Sequence, residues 1–260
     1  MKNIYFSQYK HRKAKRELEM NLIISHLKGL IDNKKDKENI NILEFGSGDG
    51  FQLAFLGKLG RVVGSDLENK ISINIGSSKF VKCSITKTPF NNNFFDIIFS
   101  NHVMEHIEDL DQAFIELKRI GNNQSLYAFS VPTNVWLLAS LPAQYFFKIK
   151  SFLLKFIFIF NKKKGQKRVK FDSSKGVNSS LSNAFSLLLP KGHGVVSNFS
   201  DCYNFFKLRA WRKLFEENGF NVDHVFPLFF YGPSELPIFP IVRSKSFFCC
   251  SSVLFVMSKS

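Results

Sequence analysis

Cysteine is scarce in this chain, with four in 260 residues. Cys249 and Cys250 are adjacent, while Cys83 and Cys202 stand alone. No pair has the spacing of a zinc ligand set and there is no disulfide framework, so no metal is expected and a reducing compartment is natural. The first residues, Met1-Lys2-Asn3-Ile4-Tyr5-Phe6, lack the apolar stretch of a signal peptide, which makes a cytoplasmic location the expectation. Long unbroken apolar runs are missing too. The richest stretch, 135–160, is interrupted by Pro142, Gln144, Lys148, Lys150 and Lys155, and a membrane span tolerates few such charges. Acidic residues are in the minority: 21 Asp and Glu against 36 Lys and Arg leave a formal charge of +15. The basic residues cluster at Lys10 to Arg16 and at Lys162 to Lys170. Such clusters are either solvated surface or a footprint for a polyanion, which means nucleic acid or the phosphate headgroups of a membrane and its lipid-linked intermediates.

Against this background residues 42–50, I-L-E-F-G-S-G-D-G, are the most informative segment. An apolar run (Ile40, Ile42, Leu43, Phe45) ends in a turn with Gly46, Gly48 and Gly50 at alternate positions, and a helical pattern begins at Phe51. Glycine is required where backbone turns tightly or must approach a ligand more closely than a Cβ allows. The next apolar run ends at Asp66, about 20 residues after the first glycine, where a carboxylate can accept from both ribose hydroxyls of a nucleotide. The dinucleotide fingerprint needs a small residue at position 51, which is Phe, and Asp49 would repel a pyrophosphate. No Gly-Lys-Ser/Thr follows, so a P-loop is excluded.

The segment 44–50, E-F-G-S-G-D-G, resembles the first motif of the class I S-adenosylmethionine (SAM) dependent methyltransferases, whose ligand carries an amino-acid end in place of a pyrophosphate. Residues 88–109, T-P-F-N-N-N-F-F-D-I-I-F-S-N-H-V-M-E-H-I-E-D, resemble that family's "LPF…FD…LEH-x-x-D" segment, and 113–120 its following crossover helix. The resemblance implies an α/β fold: a doubly wound, mostly parallel seven-stranded sheet with a helical insertion after the fifth strand. It implies SAM as cofactor, with Glu44, Gly46, Ser47, Gly48 and Gly50 at the methionine end and Asp66 on the ribose. Leu67, Ser84 and Ile85 would face the adenine, and Asn101 and His102 the sulfonium side. The family often has an acidic residue near the adenine amine; here the segment 82–85 offers Ser84 instead.

Periodicity divides the chain into four parts: a capping helix and linker (1–39), a cofactor-binding core (40–132), an insertion (133–207) and a closing helix with a strand hairpin (208–260). Expected elements are a helix over 8–31 with Leu18, Leu22, Ile23, Leu27 and Leu30 inward, strands at 40–45, 61–66, 79–83, 95–100 and 125–131, and helices at 51–59 and 109–120. A helix over 208–220 closes with a glycine signal, and strands near 221–230 and 248–257 follow, which the resemblance pairs as an antiparallel hairpin at the sheet edge. The insertion is far longer than an ordinary loop. Its apolar part reads either as buried helices of a substrate lid or as amphipathic helices lying in an anionic membrane interface, with Trp136 and Tyr145 at headgroup depth.

Methyl transfer to a hydroxyl gains from a base of near-neutral pKa, the natural role of histidine. His106, in the loop that the resemblance places over the cofactor, is one candidate. His193 is the other; its flanking Gly192 and Gly194 suggest a mobile turn able to bring the ring to the pocket. The string His102-Val103-Met104-Glu105-His106 also spells the H-x-x-E-H of a zinc peptidase, but that chemistry needs both histidines on one helix face and a distant carboxylate. The segment around 193–197 is similar to members acting in surface-polysaccharide pathways, which favours a glycan or lipid-linked hydroxyl acceptor. An RNA methyltransferase is the rival on charge, although no RNA-binding module and no N-P-P-Y-type motif is present. A SAM-binding module without catalysis is the reading of another class. The oligomeric state is not legible.

Overall fold

A computed structural model describes residues 2–31, 40–163, 190–232 and 241–260. In chain order the elements are α1 (Lys2–Ile31), β1 (Asn41–Phe45), α2 (Leu53–Leu56), β2 (Arg61–Asp66), β3 (Lys79–Lys82), β4 (Phe95–Asn101), α3 (Leu110–Ile120), β5 (Gly121–Pro132) and α4 (Asn134–Lys163). After these come β6 (Lys191–His193), β7 (Val196–Asn198), α5 (Phe199–Phe205), α6 (Leu208–Glu217), β8 (Phe220–Pro227), β9 (Phe229–Phe230), β10 (Val242–Arg243) and β11 (Ser252–Lys259). The main sheet has seven strands in the order β3-β2-β1-β4-β5-β11-β8. Its first five strands run parallel, and β11 pairs antiparallel with both β5 and β8. The doubly wound sheet and its antiparallel edge pair are as the resemblance implied.

Side chains alternate across the sheet, which gives a core on each face. Val253, Phe255 and Met257 of β11 join Phe45, Tyr127, Phe129, Phe114, Trp211 and Phe215 on one face. Leu254 and Val256 point the other way and join Ile42, Phe99, Ala128 and the α1 residues Met20, Ile23, Ile24, Leu27 and Ile31. Those α1 positions recur at helical spacing and are buried, and each contributes roughly 1.5–3 kcal/mol on leaving water. The inward face of α1 differs from expectation at one place, because Leu18 is exposed and the adjacent Glu19 is buried instead.

Other boundaries moved for physical reasons. The helix expected over 51–59 shrinks to the single turn α2, since Gly57 caps it and Gly60 has no room for a Cβ beside the Ile40 carbonyl. Strand β5 begins at Gly121, with a register shift against β4 between Phe95 and Ile97. The strand expected over 221–230 breaks after Pro227, and Phe229–Phe230 turns away to pair with β10. The final strand starts at Ser252, after a turn of 3-10 helix at Phe247–Cys249. Pro142 lies within α4 without ending it. Among the described residues no helix is long and apolar enough to cross a membrane. The linker residues 32–39 and the basic positions 164–170 lie outside the described residues.

Candidate active site

The chain lays β2 and β3 to one side of β1 and β4 and β5 to the other. At such a reversal the connecting loops diverge, and a crevice opens at the carboxyl ends of the strands. A cavity of about 590 Å³ lies there, within the size range of small-molecule sites. Its wall is formed by Phe45 and Gly46 after β1, by Ser65 to Leu67 at the end of β2, by Cys83 to Thr86 after β3, and by His102, Val103 and His106 to Asp109 after β4.

The glycine turn is held from beneath. The N–H groups of Gly46 and Ser47 both donate to the Ser65 carbonyl, at 2.7 and 3.0 Å. Gly46, Gly48 and Gly50 have φ of 74°, 55° and 83°, a region that side chains with a Cβ rarely enter. Gly46 also has no space for a Cβ, which would strike Val103. Asp66 accepts from the N–H of Gly48 at 2.9 Å and from that of Leu67 at 2.7 Å. Each carboxylate oxygen keeps a further lone pair for a ligand hydroxyl.

Two ionisable groups flank the turn, Glu44 from the motif and Arg16 from α1. Glu44 is fully buried beneath the turn, and neither of its oxygens has a hydrogen-bond partner among the described residues. Burial pushes its carboxyl well above the ordinary range; Arg16 opposes this, and Asp49 and Asp66 add to it. Above the turn, Arg16 of α1 forms two parallel bonds to Asp49, at 2.7 and 2.6 Å, and lies over the Phe51 ring at 4.3 Å. The guanidinium holds Asp49 below its usual pKa. A planar fork on a carboxylate fixes orientation as well as charge, so α1 is pinned across the cofactor turn.

Beside the cavity lies a buried ionic cluster. His102 has a positive φ of 56°, a strained conformation for a residue with a side chain. Its Nε2 is 3.0 Å from the Tyr231 hydroxyl and 3.6 Å from Glu19, and its Nδ1 is 3.7 Å from Glu105. Glu19 also accepts from the hydroxyls of Ser252 at 2.6 Å and Tyr231 at 3.2 Å. Burial opposes charge on both partners, but the facing groups prevail. His102 is held up to about 9 by Glu105 and Glu19, and Glu19 is held down to about 2, chiefly by His102. At neutral pH His102 is an imidazolium facing the Glu19 carboxylate.

At the outer rim the 3-10 turn Met104–His106 meets the hairpin β6–β7 of the insertion. The Val195 N–H donates to the Glu105 carbonyl at 3.0 Å, and a Cβ at Gly194 would collide with that carbonyl. The His193 N–H donates to Cys202 Sγ at 3.3 Å, and the Lys191 N–H to Gln144 of α4 at 2.9 Å. The glycines around His193 therefore serve close approach, in place of the mobile turn expected from sequence. The rings of His106 and His193 meet edge to face with centroids 5.0 Å apart, and Trp136 stands 4.7 Å from His193.

Of the residues singled out from sequence, Gly46, Asp66, Leu67, Ser84, Ile85, His102 and His106 share the cavity wall, while Glu44, Ser47, Gly48, Gly50, Asn101 and His193 do not line it. Ser47 turns its hydroxyl to the carbonyls of Glu44 and Ser65, both at 3.2 Å, so it braces the turn. Ser84 shares a hydrogen bond with the Thr86 hydroxyl at 2.7 Å. Asn101 keeps its Oδ1 buried and without a hydrogen-bond partner among the described residues. Arg16, Glu19 and Tyr231 were missed, since each reaches the site from a distant segment.

Residues 43–129 match the family model described as a methyltransferase domain. That segment is about a third of the chain, and over it the sequence is similar to a methyltransferase domain. No functionally curated protein matches the chain. The fold is similar to that of a SAM-dependent methyltransferase from Aquifex aeolicus, at 13% identity over 95% of this chain and 98% of that one, with a TM-score of 0.50. It is also similar to a SAM-dependent methyltransferase of Thermotoga maritima described as a possible histamine N-methyltransferase, at 15% identity over 98% and 96%, with a TM-score of 0.54. At such identities the likeness is one of fold. The site suits SAM by the groups in and beneath it: a buried Glu44 carboxyl without a hydrogen-bond partner among the described residues, spare acceptor capacity at Asp66, and a backbone turn without Cβ atoms.

Proposed function

We propose that this methyltransferase places a methyl group on a hydroxyl of a glycan or lipid-linked acceptor at the cytoplasmic face of a membrane. The observation that carries the hydroxyl is the convergence of His106 and His193 over Glu105 at the rim of the cofactor cavity. SAM supplies an electrophilic methyl on a sulfonium; the chain's task is to position the acceptor and deal with its proton. Glu44 would receive the amino group of the methionine end and Asp66 the ribose hydroxyls, with Leu67, Ser84 and Ile85 along the adenine. His102 is engaged by Glu19, Glu105 and Tyr231, so it orders the floor of the site and leaves the acceptor proton to the outer pair. Much of the rate in an in-line displacement comes from such alignment.

The membrane part of the proposal is supported by α4. Leu138, Tyr145, Phe146, Ile149 and Leu154 are exposed on it, close to Lys148 and Lys150, while Leu137, Ala139 and Ala143 are buried. An exposed apolar stripe with basic neighbours suits an anionic interface, each nearby Lys or Arg adding about 1 kcal/mol there. The test uses labelled SAM with polyprenyl-phosphate-linked and free saccharides. His106→Ala and His193→Ala should each lose roughly 10²–10⁴ in rate while SAM affinity holds. Transfer to nitrogen or to RNA, or undiminished rates in both variants, would overturn the hydroxyl reading. Equal sedimentation with neutral and anionic vesicles, or with neither, would overturn the membrane reading.

A further inference from the structure

The rim cluster has a second property. One carboxylate oxygen of Glu105 and one ring nitrogen from each of His106 and His193 lie within 4.8 Å of one another. Glu105 is 1% exposed, yet its Oε2 has no hydrogen-bond partner among the described residues. A buried carboxylate oxygen without a donor is costly unless something positive comes to it. Its other oxygen is approached by His102 Nδ1 at 3.7 Å and by His106 Nε2 at 3.9 Å.

We infer that Glu105, His106 and His193 form a binding site for one divalent cation of the zinc class on the acceptor side of the cavity. Two imidazoles and one carboxylate are a recognised ligand set for such ions, and three protein ligands leave a position open for substrate. Bonds of about 2.0–2.1 Å at tetrahedral angles separate ligand atoms by roughly 3.4 Å, so the observed set closes by modest side-chain rotation. The ligands come from two segments joined by the Val195–Glu105 hydrogen bond, and His193 is further held within its own segment by Cys202, so the positions are built by the fold. This is not the peptidase arrangement suggested by the H-x-x-E-H string. Met104–His106 is a single 3-10 turn, and His102 is drawn away to Tyr231 and Glu19; it braces Glu105 from behind, as partners of metal ligands commonly do.

The consequence for catalysis rests on the hydroxyl reading above. With the acceptor oxygen in the open position, its proton passes to solvent. The oxygen then forms the new C–O bond as the C–S bond breaks with its electron pair left on sulfur. His106 and His193 would thus act on the acceptor through the ion, as ligands.

Calorimetric titration of the chelator-treated full chain with Zn²⁺, without SAM or acceptor, tests the site alone. One equivalent should bind, at least ten times more weakly in His193→Ala and Glu105→Gln; parallel SAM titration reports whether each variant is folded. X-ray absorption of the zinc-loaded wild type should show nitrogen and oxygen neighbours only. Absence of saturable binding, unchanged affinity in both folded variants, or sulfur ligands would overturn the inference. Methyl transfer that proceeds undiminished with chelator would do so too, leaving the hydroxyl reading intact. Zinc binding at these residues without transfer to any hydroxyl would instead overturn that reading and leave the ion site standing.

Discussion

Replacing Glu19 by Gln keeps the shape of a buried side chain and removes its charge from beside His102. In the wild type, His102 is held from 6.5 up to about 9 and Glu19 from 4.5 down to about 2. The sign follows from linkage. The raised histidine contributes stability that is complete below about pH 6.5 and lost as pH rises through 9. The depressed carboxyl contributes stability present above about 4.5 and lost as pH falls toward 2. The pair is therefore fully effective between roughly pH 4.5 and 6.5. It counts once, on the carboxyl side, because Glu19 is depressed chiefly by His102 whereas His102 is also raised by Glu105. At 1.36 kcal/mol per pKa unit, a shift of this size corresponds to about 3 kcal/mol, in line with the cost of removing one member of a buried ion pair. The variant also weakens the bonds from Ser252 and Tyr231, since an amide oxygen accepts less strongly than a carboxylate. Urea unfolding at pH 6 should show Glu19→Gln destabilised by about 3 kcal/mol, with the gap narrowing at pH 9 and above. The His102 ring resonance should titrate at least one unit lower in the variant. Equal stability at pH 6 together with an unmoved His102 titration would refute the ionic account of this cluster.

Gly46→Ala meets both a positive φ and the Val103 side chain, so it should cost about 2–4 kcal/mol by thermal unfolding and abolish measurable SAM binding even where the fold survives. Arg16→Ala releases α1 from Asp49; the pair is partly exposed, so stability should fall by only about 1 kcal/mol, while SAM affinity should drop several-fold and the wild-type advantage should shrink with salt.

What the sequence disclosed was local. The glycine turn, Asp66 and the strand ends are encoded within a few residues, because positive φ and close approach demand glycine at fixed positions and parallel strands demand apolar runs. The unbroken apolar run from Val253 to Met257 likewise suits a strand buried on both faces. What stayed hidden was assembled across distance. Arg16 reaches Asp49 across 33 positions and Tyr231 reaches Glu19 across 212, and no periodicity marks such pairs. His193 was visible as a candidate, but its flanking glycines suggested motion, whereas Gly192 lets the two hairpin strands approach and Gly194 lets the hairpin press against Glu105. The same competition shortened α2, where an apolar helical pattern lost to Gly57 and Gly60.

The cavity between β1, β2 and β4 is expected to bind SAM with Asp66 as a principal anchor. Calorimetry with SAM and S-adenosylhomocysteine on the wild type and on Asp66→Ala measures it directly. Charge-assisted hydrogen bonds are worth about 1.5–3 kcal/mol each, so one molecule should bind the wild type, and the folded variant should bind at least tenfold more weakly. No binding to the wild type, or equal affinity in the folded variant, would contradict the account.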